Sequence, residues 1–178
     1  MIRKIKKKQN KEAAGLLIER YYREIYAYTY RQVACKELAM DLTQEIFILV
    51  LKGIRAFDEK KGSFRTWIYR IASNKITDYY RSLAYRKSQL EGPYGQEYEH
   101  TGVSPDISSQ VLRQETIREV MAVIVRYDEP WIQIFQKHCF EEQTFAEIAE
   151  ELKLSEGTVK TRYYKMLAQI RKEVADNE

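Results

Sequence analysis

The stretch QLEGPYGQEYEHTGVSPDISSQ, residues 89–110, constrains this chain more than any other. Five of the ten glycines and prolines in 178 residues fall between Gly92 and Pro105, and the stretch has no hydrophobic period. Gly-Pro and Ser-Pro steps punctuate helices and strands alike. The chain therefore reads as two units joined by a tether, disordered or polyproline-II-like, long enough to separate two binding sites. On either side apolar residues recur at helical spacing, and no segment alternates convincingly as a strand would. Even the tyrosine-rich YYREIYAYTY places apolar groups at Tyr22, Ile25, Tyr26 and Tyr30, a helical interval. The expected fold class is all-α, with two small helical domains at 1–86 and 111–178 and a linker at 87–110. An apolar content of 44% suffices for packed cores.

Periodicity predicts a short helix around residues 2–9, then helices from Lys11 to Val33, from about Glu37 to Phe57, and from about Phe64 to Arg86. DEKKGS, residues 58–63, is the loop before the last of these, with Ser63 as N-cap. In the back half the expected helices lie near 110–126, 130–140, 144–152 and 155–174. Pro130 suits a first helical turn, where a missing N–H costs nothing. Thr144-Phe145-Ala146-Glu147 is a capping box, hydroxyl at the cap and carboxylate three residues on. Behind it Phe145, Ile148, Ala149 and Leu152 share one face. LKLS then makes a tight turn in which Leu154 is apolar and Ser155 is free to cap the next helix. Two helices joined so tightly are the signature of a helix-turn-helix, whose second helix enters the major groove of DNA.

Charge singles out that second helix. From Leu112 to Glu178 there are ten Lys+Arg against thirteen Asp+Glu, yet five of the ten fall between Gly157 and Lys172 without one acid. At 3.6 residues per turn Val159, Tyr163, Met166, Leu167 and Ile170 gather on the side that faces the core. Lys160, Thr161, Tyr164, Lys165 and Ala168 fall opposite, with Arg162 on the flank. Lysine can donate to guanine O6 and N7, threonine can bond a base or touch a thymine methyl, and a flanking arginine suits phosphate. The Ser155–Thr158 end adds backbone N–H groups and a positive dipole for another phosphate. A basic solvated helix is the plain alternative. Capping box, turn and two-faced helix together favour groove binding over it.

The front half is basic throughout, with 18 cations and 9 acids over residues 1–85, so a polyanion is expected at two places. The helix from Phe64 is expected to bury Phe64, Ile68, Ile71 and Ala72. Arg70, Asn74, Thr77 and Arg81 recur on another side with Trp67 beside them. Donors next to aromatic rings suit single-stranded DNA, where cations track phosphates and a ring or pocket holds an unstacked base. Taken singly, Trp67, Tyr79 and Tyr80 read as core; the basic stripe argues for DNA on the helix as a whole. Asp41, Gln44, Glu45, Ile48 and Lys52 share one side of the preceding helix, while Leu42, Ile46, Phe47 and Val50 can enter the core. A solvated polar face is what those five residues suggest by themselves.

No catalytic set emerges. His100 lies in the tether, and His138-Cys139 has no companions at metal-ligand spacing. A buried Cys139 is preferred to a ligand or nucleophile. Neither GxxxxGK[ST] nor GxGxxG occurs. The expectation is a binding protein without cofactor or metal. Cys35 and Cys139 are too few for a disulfide framework, MIRKIKKKQNK lacks the apolar core of a signal peptide, and no run reaches membrane-span length. A cytoplasmic protein with no membrane contact of its own is expected.

FAEIAEELKLSEGTVKTRYYKMLAQIRK resembles the DNA-binding region of extracytoplasmic-function sigma factors that reads the −35 promoter element. DLTQEIFILVLKGIRAFDEKKGSFRTWIYRIASNKITDYYR, residues 41–81, resembles their region that binds core polymerase and reads −10. Two matches in the family's order are specific in a way that a lone helix-turn-helix is not. The resemblance places Lys160, Thr161, Tyr164 and Lys165 at −35 bases, and Thr158 and Arg162 at phosphates. It places Lys60, Lys61, Gly62 and Ser63 in the loop that cradles a flipped −10 base. It assigns the helix of Asp41, Gln44, Glu45, Ile48 and Lys52 to the clamp coiled coil of the polymerase β′ subunit. Core RNA polymerase, through that coiled coil and the β flap, and promoter DNA are the implied partners; an anti-sigma factor is a further candidate. One departure is Arg126-Tyr127-Asp128-Glu129-Pro130-Trp131, where relatives usually have a Leu-Pro start.

The function expected is that of an alternative sigma factor, reading −35 as duplex and capturing the melted −10 strand. The main rival is a stand-alone helix-turn-helix regulator whose front half dimerises or senses a ligand, binding half-sites about one helical turn apart without polymerase. A recombinase or other enzyme would need a nucleophile and metal carboxylates, and these are not found.

Overall fold

The computed structural model describes residues 2, 5, 6, 10–60, 62–90 and 105–175, with backbone alone at 87–90, 105–110 and 175. Every regular element among them is helical: α1 (Lys11–Val33), α2 (Lys36–Gly53), a 3₁₀ turn (Ile54–Ala56), α3 (Phe64–Leu90), α4 (Pro105–Ile124), α5 (Glu129–Cys139), α6 (Phe145–Leu152) and α7 (Glu156–Ala175). The chain is all-α, as its periodicity predicts. Of the short first helix expected at 2–9, Ile2, Ile5 and Lys6 are helical and the other positions lie outside the described residues. The helix expected to reach Phe57 stops being α-helical at Gly53 and tightens into the 3₁₀ turn, a common way to satisfy the last carbonyls of a helix. The helices flanking the breaker-rich stretch run closer to it than expected, to Leu90 and from Pro105. Pro105 can open a helix because its absent N–H would have had no partner there. Residues 91–104, with four of the five breakers and His100, lie outside the described residues. The chain divides into two compact units, Met1–Ile76 and Thr77–Glu178, with the division inside α3.

In the first unit α1 and α2 pack together, joined only through Ala34 and Cys35. Asn10 caps α1, its Oδ1 accepting from the Ala13 N–H at 2.8 Å. Ala34 ends the helix in the left-handed region (φ 48°), giving the hairpin its turn. Leu17, Ile25, Tyr28 and Val33 of α1 and Leu42, Ile46, Phe47 and Val50 of α2 are all buried, as are Ile68, Ala72 and Ile76 of α3. Each such aliphatic side chain contributes about 1.5–3 kcal/mol on burial. Buried hydroxyls here are paired: the Tyr28 hydroxyl bonds Ser73 Oγ at 2.6 Å, and Thr43 Oγ1 donates to the Ala39 carbonyl at 2.6 Å. Glu24 Oε1 accepts from both Arg65 Nε (2.6 Å) and the Tyr69 hydroxyl (2.8 Å), which fixes the first turns of α3 against α1.

In the second unit α7 is central, with α4, α5 and α6 all packed on it. Ile134, Ile148, Ala149 and Val159 form a buried cluster, flanked by Phe145, Leu152, Leu154 and Tyr163. The capping box at α6 is complete: the Thr144 N–H donates to Glu147 Oε2 at 2.7 Å, and the Glu147 N–H to Thr144 Oγ1 at 3.3 Å. Lys153 closes α6 in the left-handed region (φ 55°), and the Leu154 N–H reaches back to the Ala149 carbonyl at 2.9 Å. Ser155 then caps α7, accepting from the Thr158 N–H at 3.1 Å. The buried Lys137 on α5 donates to Glu151 on α6 at 2.8 Å. Arg126, beyond α4, meets Glu173 of α7 at 2.6 Å.

Candidate nucleic-acid interface

The geometry of α7 follows its sequence period closely. Val159, Met166 and Ile170 are buried, and Tyr163 and Leu167 are half-buried beside them. Lys160, Thr161, Tyr164, Lys165 and Ala168 are exposed on the other side. Tyr164 is 57% exposed although its ring lies 6.1 Å from Phe145 and 5.4 Å from Tyr163, so one edge is held by packing while the other stays free. Behind it Phe145 stacks on His138 at 4.2 Å, and the His138 ring meets Tyr163 edge-on at 4.7 Å. Burial pushes the Tyr163 hydroxyl up to about 12, so this tyrosine is neutral packing rather than a titrating group. The exposed face of α7 thus rests on an aromatic platform that the helix-turn-helix core supplies.

Two residues at this face have partners that the helical wheel did not reveal. The Lys160 ammonium is 2.7 Å from Glu156 Oε1 one turn earlier, and this carboxylate raises its pKa. Arg162 is half-buried with its guanidinium 5.4 Å over the Trp131 ring of α5. Glu156 and Trp131 were missed as parts of the site. The i, i+4 spacing of Glu156 and Lys160 was legible in sequence; the Trp131 contact joins residues 31 positions apart and was not. Thr158 is half-buried, its hydroxyl 2.8 Å from Ser155 Oγ, at the N-terminal end of α7 where backbone N–H groups and the helix dipole favour an anion.

The front-half candidates divide. In the loop before α3, the Lys60 N–H is tied to Asp58 Oδ1 at 3.0 Å, and Lys61 lies outside the described residues. Gly62 has φ 152°, a conformation that L side chains rarely adopt, and a Cβ there would meet nothing within 4 Å. Backbone conformation, not crowding, is what calls for glycine at that position. Ser63 caps α3 as expected, its Oγ accepting from the Thr66 N–H at 3.1 Å. Within the first unit Arg70 and Asn74 are exposed. Trp67 is half-buried among Phe57 (5.4 Å), Phe64 (5.5 Å) and Gly53, where a Cβ would lie 3.5 Å from the indole. Its ring is thus mostly committed to packing. Ile71, expected in the core, is only half-buried.

Within the second unit, Thr77 is not on an exposed stripe: it is 2% exposed, and its hydroxyl accepts from Gln136 Nε2 at 3.2 Å. Arg81 is exposed and 3.8 Å from Glu129. Tyr80 is buried, which raises its hydroxyl pKa, and Tyr79 beside it is half-buried.

On α2, Asp41, Gln44, Glu45, Ile48 and Lys52 are all exposed on one side, and Leu42, Ile46, Phe47 and Val50 are buried opposite. Glu45 pairs with Lys75 of α3. Met40 (39% exposed), Ile48 (51%) and Leu49 (43%) make this face more apolar than a solvated helix needs to be.

Cys139 corrects an expectation. It is exposed rather than buried, because it is the last residue of α5: it follows Ile132 and Phe135 on the same helix face, but the helix ends with it. Its sulfur nevertheless rests 3.7 Å from the Tyr163 hydroxyl, and the loss of solvent there raises the thiol pKa. A raised pKa is the opposite of what an activated nucleophile needs. Among the described residues no three metal-ligating side chains converge, and no helix is long and apolar enough to cross a membrane.

Two family models match the chain: Sigma-70 region 2 over residues 17–86 and Sigma-70, region 4 over residues 133–170, together more than half of it. The chain is similar to the ECF RNA polymerase sigma factor SigW of Bacillus subtilis (strain 168), 28% identical over 177 residues that cover 96% of this chain and 93% of SigW. It is also similar to the RNA polymerase sigma factor YlaC of the same organism, 29% identical with 88% of each chain covered. The ECF RNA polymerase sigma-E factor of Escherichia coli (strain K12) is 27% identical, with 89% of this chain and 84% of that protein covered. Among solved structures, CnrH in complex with the cytosolic domain of CnrY shares the fold at a TM-score of 0.54 and 18% identity, covering 95% of this chain and 92% of that one. Both family models match in order along the chain, and the chain covers 84% or more of each of these three relatives. This chain is a member of the sigma-70 family of RNA polymerase sigma factors, in its extracytoplasmic-function group.

Proposed function

We propose that this sigma factor divides promoter recognition between its two halves. Residues 111–178 read the −35 element as duplex through Lys160, Thr161, Tyr164 and Lys165, with Thr158 and Arg162 on phosphates. Residues 1–86 hold the melted −10 strand through the loop Lys60–Ser63 and the α3 residues Trp67, Arg70, Asn74 and Arg81. Thr77, buried and bonded to Gln136 within the second unit, is left out of this surface. The face of Asp41, Gln44, Glu45, Ile48 and Lys52 docks on the polymerase β′ clamp coiled coil. Residues 87–110 tether the halves, so two weak contacts act as one tight one by effective concentration.

The observation that carries this reading is the outward face of α7. Two lysines, a threonine and a tyrosine are exposed within two turns, on a helix whose opposite side is anchored in the helix-turn-helix core. An anti-sigma partner stays a candidate; the solved chain of the same fold is in complex with another protein's cytosolic domain.

Run-off transcription tests the reading. Promoter-specific transcripts are expected only when core polymerase and this chain are both present. Nanomolar, sequence-specific binding to half-sites by the chain alone at physiological salt would instead mark a stand-alone regulator.

A further inference from the structure

Between Gly157 and Lys172 the reading helix carries no acid, yet its first residue is Glu156. That carboxylate is 48% exposed and lies 2.7 Å from the ammonium of Lys160, itself 50% exposed. An acid in the first turn suits the positive end of the helix dipole, which is the ordinary reason to find one there. A second consequence follows from its partner. Lys160 is the cation nearest the start of α7 on the exposed face, the end that enters a major groove first. In the free protein this cation already has an acceptor, and Glu156 raises its pKa.

We infer that Glu156 is a specificity-determining residue: it holds the Lys160 ammonium so that only DNA offering a guanine edge in exchange is bound well. The inference rests on the proposed −35 reading. On a non-cognate duplex Lys160 keeps Glu156, its charge is cancelled locally, and a bare carboxylate faces the phosphates if the pair opens. On a cognate duplex guanine O6 and N7 replace the carboxylate, and Glu156 turns to water or to the N–H groups at the start of α7. A free lysine would instead bind any phosphate within reach and add affinity without discrimination.

The test uses the full chain, free and as holoenzyme with core polymerase, in wild-type, Glu156→Gln, Glu156→Asp, Lys160→Ala and Glu156→Gln/Lys160→Ala forms. Each selects duplexes from a pool randomised across −35, and each is titrated on a non-cognate duplex from low to high salt. Glu156→Gln should strengthen non-cognate binding and steepen its salt slope by about 0.9, the increment for one added phosphate contact. It should also flatten the preference at the base pair read by Lys160 by up to about twofold.

The double variant should show the preference of Lys160→Ala alone. Glu156→Asp keeps the charge and the dipole contact but shortens the reach, so it should behave as Glu156→Gln in selection while melting like wild type. Selection unchanged by Glu156→Gln while Lys160→Ala shifts it would overturn the inference and leave the −35 reading standing. Wild-type behaviour of Glu156→Asp beside a changed Glu156→Gln would also overturn it, since charge alone would then suffice. Failure of the functional reading has a different mark: no promoter-directed run-off from wild type with core, whatever the selection by the free chain shows.

Discussion

The helix α7 and the start of α3 are both DNA-facing candidates, but they are built in opposite ways. On α7 the exposed polar side chains occupy one continuous face, and the opposite face is locked by Ile134, Ile148 and Val159. The turn before it is fixed by backbone and capping bonds from Ala149 to Thr158. Around α3 the candidates are scattered between a loop and a helix, Trp67 is largely committed to Phe57 and Phe64, and Arg65 is held by Glu24. A duplex presents a fixed groove, so a rigid helix with preset side chains can read it. A melted strand has no fixed shape, and a loop beside a helix can follow it while rings and cations hold base and phosphate. The contrast suits one half to sequence reading and the other to capture.

The comparison is broken most forcefully by unmaking one half alone. Ile148→Ala should cost the second unit about 2–5 kcal/mol, the usual penalty for a cavity in a sealed core. The chain has two tryptophans, Trp67 in the first unit and Trp131 in the second. Denaturant melts in a Trp67→Phe background follow the second unit, and melts in a Trp131→Phe background follow the first. Only the former midpoint should fall. If both fall together, the two halves unfold as one, and their separate treatment fails.

Base readout comes next in size. Lys160→Ala and Lys165→Ala should each remove about 1–3 kcal/mol of discrimination at one −35 position. Arg162→Ala should weaken every promoter alike and reduce the salt slope by about one. The stacking of Arg162 on Trp131 sharpens this expectation: Trp131→Ala, which leaves the cation in place but unheld, should weaken binding less than Arg162→Ala does. Transcript sequencing from a promoter library, at two salt concentrations, separates the effects.

The capping box gives a smaller and pH-dependent effect. Thr144→Ala should cost about 0.5–2 kcal/mol in thermal or chemical melts. Hydrogen bonds from the Thr144 backbone and side chain hold the Glu147 carboxyl below its usual range. A depressed pKa contributes stability that is present above the ordinary carboxylate range and lost as pH falls through the depressed value. The difference between wild type and Thr144→Ala should therefore narrow on acidification. A difference that widened toward low pH would contradict the assigned cap.

Smallest in stability, though not in function, is Ile48→Lys on α2. At 51% exposure it should change stability by no more than about 0.5 kcal/mol. Affinity for core polymerase should fall all the same, as measured by binding of labelled chain. Unchanged affinity would return this face to solvent.

The legibility of the two halves differs for the same physical reason. The helix-turn-helix could be read because its determinants are local: Thr144 and Glu147 three residues apart, Leu154 in a three-residue turn, Val159 and Met166 seven apart on one face. Lys11–Val33, expected from its apolar period, was likewise legible to the residue, and the structure adds Asn10 as its cap. The burial of Thr77 depends on Gln136, 59 positions away, and no helical wheel of α3 contains that partner. The commitment of Trp67 depends on Gly53 and Phe57 across a loop, and the hold on Arg162 depends on Trp131. Cys139 failed for a local reason: it continues the face of Ile132 and Phe135, but it is the last residue of α5 and burial does not extend to the helix end. Periodicity locates faces well. Which side chains on a face are already occupied is decided by contacts distant in sequence.

The division of labour is tested most directly by one template pair. A promoter in duplex form and the same promoter mismatched across −10 are transcribed by holoenzyme carrying wild type, Asn74→Ala or Lys160→Ala. Mismatching removes the cost of unpairing, a few kcal/mol at most. Asn74→Ala should lose activity on duplex and recover part of it on the mismatched template, since base contacts removed by the substitution do not return. Lys160→Ala should show the same fractional loss on both, because −35 stays duplex in each. Equal loss by Asn74→Ala on the two templates, with core binding impaired, would make its surface a protein-docking face and contradict the assignment of strand capture to the front half.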